Sequence, residues 1–165
     1  MATSTKPETN FEQIVRVTTY EAFQAREGIP VIKGFAVDDL RTVEVKPWAR
    51  LDCLGTYINL DGTGETNDAY VAEIEPGKRM APERHLFEKN IYVLEGRGAT
   101  LVGEDPNSRT SFEWKKGSVF SIPINTWHQH MNGSGTEPAR FVAVTTAPLV
   151  MNYFHNDDFI FNNPF

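Results

Sequence analysis

Gly77-Lys78-Arg79-Met80-Ala81-Pro82-Glu83-Arg84-His85-Leu86-Phe87-Glu88-Lys89-Asn90-Ile91-Tyr92-Val93-Leu94-Glu95-Gly96 is one of two stretches that decide the fold. The other is Gly117-Ser118-Val119-Phe120-Ser121-Ile122-Pro123-Ile124-Asn125-Thr126-Trp127-His128-Gln129-His130-Met131-Asn132. Glu83 and His85 stand two apart, so on a strand they face the same side. His128 follows an apolar run and a Pro-x-Asn turn signal. One carboxylate and two imidazoles suit a first-row divalent metal, and a set of this kind suits non-haem iron. If the two stretches pair in space, they bring the ligands of one site together.

Outward from these stretches the chain reads as mostly β. Short β-rich runs recur at Thr42–Val45, Leu51–Leu60, Ala69–Ile74, Asn90–Leu94, Ala99–Val102, Ser111–Trp114, Ser118–Ile122, Thr126–Met131 and Arg140–Thr146. Clusters of Gly, Pro, Asn and Asp separate them at Asp61–Gly64, Glu75–Lys78, Gly103–Ser108 and Asn132–Pro138. Many short strands with regular punctuation indicate a sandwich or barrel. Thr19–Gly28 reads as a short helix, with Thr19 as N-cap and Gly28 as stop. Residues 1–10 are polar and read as disordered, which leaves residues 11–165 as a single domain. Met151–Phe165 carries Tyr153, Phe154, Phe159, Ile160, Phe161 and Phe165 among Asn and Asp. That tail either packs outside the barrel or at a dimer contact, or plugs one barrel end and shapes the pocket.

The two stretches resemble the paired motifs of the cupin superfamily, over roughly the C-terminal two thirds of the chain. In the first motif, G-x5-H-x-H-x(3,4)-E-x6-G, the fitting residues are Gly77, His85 and Gly96. In the second, G-x5-P-x-G-x2-H-x3-N, they are Gly117, Pro123, His128 and Asn132. Asn125 replaces the middle glycine, and asparagine tolerates the positive φ such a turn needs. Glu83 stands where the family usually has its first histidine, and Lys89 where it has its glutamate. Thr126-Trp127-His128-Gln129-His130 is similar to the second motif of gentisate-type ring-cleaving dioxygenases. The resemblance implies a double-stranded β-helix, a jelly-roll barrel, which the Thr19–Gly28 helix precedes. Together with the aromatic tail it also implies a homodimer.

Glu83, His85 and His128 are therefore the expected metal ligands, for iron(II) or, failing that, manganese(II). Glu88, one place from the motif glutamate, is an alternative ligand. His130 shares a face with His128 in an unbroken strand and is either another ligand or a proton-transfer group beside the metal. Tyr92, Phe120, Trp127 and Phe141 are either substrate-binding pocket walls or plain core, since one slip of register reverses which residues face inward. Arg79, Arg84 and Arg97 are possible clamps for an anionic substrate.

Composition excludes several classes. The net charge is −6, from 16 basic and 22 acidic residues, with no basic patch to meet nucleic acid. No apolar run is long enough to span a bilayer, and the start has no signal-peptide core, so the expected location is cytoplasmic. Cys53 is the one cysteine, so no intrachain disulfide forms. Three functions remain: a metal-dependent dioxygenase acting on a small organic molecule, a non-redox metal-dependent lyase or isomerase, and a small-molecule binding module.

Overall fold

Inward and outward residues alternate along the strands and build two sheets around one core, in a computed structural model that describes residues 17–63, 65–105 and 107–163. The elements in order are α1 (Thr19–Glu27), β1 (Val31–Gly34), β2 (Lys46–Trp48), β3 (Cys53–Leu60), β4 (Asp68–Ile74), β5 (Lys89–Glu95), β6 (Arg97–Asp105), β7 (Ser108–Lys115), β8 (Val119–Ile122), β9 (Trp127–Asn132), β10 (Ala139–Thr145), α2 (Ala147–Phe154) and α3 (Asp157–Phe161). A seven-stranded sheet runs β1-β3-β4-β10-β5-β8, with β2 also paired to β3, and a three-stranded sheet runs β7-β6-β9. This is the expected jelly-roll barrel with its short N-terminal helix. The reading of residues 1–10 as disordered lies outside the described residues. Among the described residues no helix is long and apolar enough to cross a membrane.

The period-2 pattern sets which side chains face inward. On β5, Lys89, Ile91 and Val93 are buried while Asn90 and Tyr92 are exposed. On β10, Phe141, Ala143 and Thr145 are buried. Trp48, Leu51, Tyr57, Ile74, Ile91, Trp114, Ile122 and Phe141 belong to the main core. Gly98 on β6 makes room for one of them. A Cβ there would lie 2.1 Å from the Met131 carbonyl and 2.3 Å from the Trp114 ring, so only glycine lets the indole lie across β6.

The run Thr42–Val45 is not a strand; the chain turns at Arg41–Thr42, and pairing begins at Lys46. Its apolar residues have a different job. Val43 and Val45, with Val37 and Leu40, pack on Ile58, Val71 and Leu94, on the outer face of the large sheet. Arg140 Nη1 fixes this strap by donating to the Arg41 carbonyl at 2.6 Å and the Val43 carbonyl at 3.2 Å. Alternation that serves packing on a sheet is indistinguishable in sequence from alternation within one.

The helix cap is Thr18, one residue before the expected Thr19. Its hydroxyl accepts from Glu21 N while the Glu21 carboxylate accepts from Thr18 N, a capping box. Gly28 ends the helix in the left-handed conformation, φ 70°. The aromatic tail forms two helices that pack against α1. Met151 and Ile160 join Tyr20, Phe23 and Phe87 in a second apolar cluster, with Phe161 against it. Tyr20 also ties α1 to the sheet, because its hydroxyl donates to Asp68 of β4, and so does the hydroxyl of Thr145.

Burial raises the Asp68 carboxyl to about 6, against the lowering effect of these hydrogen bonds. Above pH 6 both folded and unfolded states are ionised, and the folded state bears the full cost of burying the charge, about 3 kcal/mol. As pH falls from 6 toward the ordinary carboxyl value, only the folded state is protonated and the cost is relieved. Asp68→Asn lacks this relief. Its unfolding free energy relative to the parent should fall by about 1 kcal/mol more at pH 5 than at pH 7, measured by urea titration. A pH-independent difference would contradict it.

Candidate metal centre

Backbone pairing brings the ligands together. The segment before β5 runs antiparallel to β9, with bridges Arg79–Met131 and Glu83–His128. Glu83 N donates to the His128 carbonyl at 3.0 Å, and His128 N to the Glu83 carbonyl at 2.9 Å. Residues that exchange both bonds stand opposite each other with side chains on the same face. Asn125, at φ 59°, turns the chain before β9, and its N–H donates to the His85 carbonyl at 2.8 Å. One ligand atom each from Glu83, His85 and His128 lies within 4.8 Å of the others.

Both rings are oriented from behind. His85 Nδ1 meets the Phe87 carbonyl at 2.8 Å, and His128 Nδ1 meets the Thr126 carbonyl at 3.0 Å. A carbonyl only accepts, so each Nδ1 carries the proton and each Nε2 presents a lone pair to the centre. Histidines that hold metals are oriented in this way. Nε2 of His85 is buried with no partner. The Phe87 ring stacks flat on His85, centroids 3.8 Å apart. Arg50 Nη1 donates to Glu83 Oε2 at 3.0 Å and its Nε to Glu27 Oε2 at 2.5 Å, leaving Oε1 for the centre.

Lys89 fills that centre. It follows the inward register of β5, and its ammonium lies 2.5 Å from Glu83 Oε1 and 3.1 Å from His128 Nε2. Those two acceptors stand 3.3 Å apart, so a cation between them satisfies both. The donor set suits a divalent metal, and the orphaned His85 nitrogen argues for one. A divalent ion at Glu83 Oε1 would meet the Lys89 ammonium there. The repulsion between them favours either withdrawal of that ammonium or an anionic partner carried in with the ion.

Burial opposes every charge here. It pushes the Glu83 carboxyl up, but Lys89, His128 and Arg50 together hold it well below the ordinary range, so it stays ionised. Burial lowers Lys89, and Glu83 offsets part of that. Burial first, then Lys89, lowers both His85 and His128, so both rings are neutral. Burial, then His128, holds His130 well below its usual value. Cys53, chiefly through burial, is pushed up to about 12 and stays a thiol.

The other expected site residues divide. His130 is buried, its ring 5.5 Å from that of His128. Phe120 and Phe141 line the interior beside it, at 6.1 and 5.3 Å. Tyr92 does not: it is 46% exposed, on the outer face between inward Ile91 and Val93. Trp127 is half-buried one residue before inward His128 and packs under the Arg84 guanidinium at 5.1 Å. Glu88 is exposed, away from the cluster. Arg79 and Arg97 are exposed too; Arg97 lines a surface cleft of about 690 Å³ with Trp114, Lys115 and Met131 that contains none of the cluster. The cations at the site are Arg50 and Lys89. Lys89 was legible as a departure from the motif, but nothing in sequence flagged Arg50. The tail reaches the site: Leu86 N donates to the Ile160 carbonyl at 3.0 Å, and the Phe161 ring lies 6.0 Å from Phe87 and 5.2 Å from the Arg50 guanidinium.

The family model described as a cupin domain matches residues 70–145. Auxin-binding protein 4 of Zea mays is 28% identical over 100 residues, 58% of this chain and 48% of that protein. The 5-aminosalicylate 1,2-dioxygenase of Comamonas sp is 27% identical over 77 residues, 47% of this chain and 19% of that protein. The chain thus spans half or less of the curated relatives it matches. The Cnp3 cupin domain of Schizosaccharomyces pombe superposes with a TM-score of 0.56 at 19% identity, covering 73% of this chain and 81% of that one.

Lys89→Met leaves the ionised Glu83 buried without its nearest cation. It should destabilise the metal-free protein by about 3 kcal/mol. Saturating manganese(II) should then raise the melting temperature more in the variant than in the parent. Equal increments in the two proteins, read by calorimetry, would contradict the assignment of Lys89 as the cation a metal displaces.

Proposed function

On the footing that the chain belongs to the cupin superfamily, we propose that it is a metal-dependent enzyme acting on a small organic substrate, most simply a non-haem iron dioxygenase. The observation that carries this reading is the convergence of Glu83, His85 and His128, with both imidazoles presenting Nε2 lone pairs. Two neutral histidines and one carboxylate leave a divalent ion with a net charge near +1. That favours iron(II), with manganese(II) next, over metals chosen by affinity alone. Iron(II) in such a set supplies open positions for a substrate oxygen and dioxygen.

The protein's own groups do the rest. Arg50 holds the second oxygen of Glu83 and so leaves one oxygen for the metal. The Phe87 and Thr126 carbonyls keep the rings turned inward. Phe87, packed against Phe161, covers one side of His85 and keeps water from it. Phe120 and Phe141 offer apolar wall to a flat substrate. The likeness to a relative named as an aminosalicylate dioxygenase supports oxygen chemistry on an aromatic ring.

Lys89 favours a second reading. An ammonium among the ligands is suited to stabilising an enolate or carboxylate and to moving a proton, as a lyase or isomerase requires. The name of the maize relative supports a third, small-molecule binding without turnover. The proposal includes a homodimer, for which the exposed Tyr92, Val119 and Val144 of the large sheet offer apolar surface.

Turnover of a candidate phenolic acid by the iron(II) form, in air and under argon, separates the readings. The proposal expects activity only in air and none with zinc. Full activity under argon would move the assignment to the lyase or isomerase. Glu83→Gln should lower iron content at least tenfold and Glu88→Gln leave it unchanged, measured side by side by elemental analysis. Equal content in the two would contradict Glu83 as a ligand.

A further inference from the structure

His130 faces the same interior as His128, yet its hydrogen bonding is opposite in kind. Its Nδ1 lies 2.8 Å from Thr100 Oγ1, and Trp114 Nε1 lies 2.9 Å from that same oxygen. All three residues are buried. Trp114 can only donate, so it occupies one lone pair of the Thr100 hydroxyl. The hydroxyl proton then needs an acceptor. Among the described residues the partner it has is His130 Nδ1. A proton on Nδ1 would leave the hydroxyl proton buried and unpaired. The indole, the hydroxyl and Nδ1 are all satisfied in one arrangement: Trp114 N–H donates to Thr100 Oγ1, and Thr100 O–H donates to His130 Nδ1.

With Nδ1 accepting from Thr100, the ring N–H is on Nε2, and Nε2 is buried without a partner. His85 and His128 are the reverse, with Nδ1–H against carbonyls and bare Nε2. We propose that the Trp114–Thr100 pair fixes His130 as an N–H donor, keeps it out of the metal shell, and aims it at an acceptor oxygen of the molecule bound in the barrel. That last part rests on the small-molecule reading above. The chemistry His130 selects is an oxygen with a free lone pair, as in a carboxylate, carbonyl or phenolate. Thr100 and Trp114 are positioning residues, and Gly98 allows the Trp114 ring its place.

The test is nitrogen NMR of metal-free protein labelled at its four histidines, with His130 assigned by its loss in His130→Gln. The proposal expects His85 and His128 protonated at Nδ1 and His130 protonated at Nε2. The His130 Nδ1 resonance should carry the upfield shift of a nitrogen that accepts a hydrogen bond. Thr100→Val should move that resonance downfield toward the free-acceptor position, and Thr100→Ser should restore it. Protonation of His130 at Nδ1, or no movement in Thr100→Val, would overturn the relay. In a second arm, His130→Gln should keep metal stoichiometry within about 20% of the parent while His128→Gln loses it. Loss in both would make His130 a ligand and overturn the proposal. Metal absent from the parent itself would sink the metal reading, with the relay still judged by the NMR.

Discussion

The antiparallel pairing of Glu83 with His128 is the contact on which the site depends. Two backbone hydrogen bonds place a carboxylate oxygen and an imidazole nitrogen 3.3 Å apart in a buried space. Both atoms are acceptors, and acceptors that close repel each other unless a cation lies between them. The fold therefore creates a demand for positive charge at one point. Lys89 meets it from within the chain, and the proposed divalent ion would meet it from outside. The unpartnered His85 nitrogen, which Lys89 does not use, would give such an ion a third donor.

Elements far apart in sequence keep that point dry and rigid. Arg50 links Glu83 to Glu27 at the end of α1, and its guanidinium lies over Phe23, Trp48 and Phe161. Trp48 also donates to Glu27. Helix α1, strand β2 and the C-terminal helix α3 thus meet on one arginine. The charges alternate, Glu27, Arg50, Glu83, Lys89, so the buried array is neutral without a metal. Any ion that binds must displace Lys89 or carry an anionic partner with it.

The barrel and the convergence of Glu83, His85 and His128 were legible because each rests on a local signal. Period-2 runs between turn residues gave β3 to β10 to within a few residues. The positive-φ role of Asn125 followed from its place in a turn, and the i, i+2 spacing gave the shared face of Glu83 and His85. Contacts across the sequence were not legible. Tyr92 and Ile91 differ only in register, and register is set by partners on β10 and β8. Arg50 lies 33 residues from the carboxylate it holds. The capping of α3 by Asn156 was open to a reader of the tail, yet its docking beside Phe87 depends on the tertiary surface it meets. The role of His130 depends on a hydroxyl thirty residues away and an indole on the next strand.

Two histidines and a carboxylate around one ion is the central claim, and X-ray absorption of the iron(II)-loaded protein at the iron edge tests it most directly. The account predicts a first shell of nitrogen and oxygen donors in which multiple scattering fits two imidazoles, with no sulfur from Cys53. Removal of His130 should leave that spectrum unchanged. Three imidazoles, or iron with none, would contradict it.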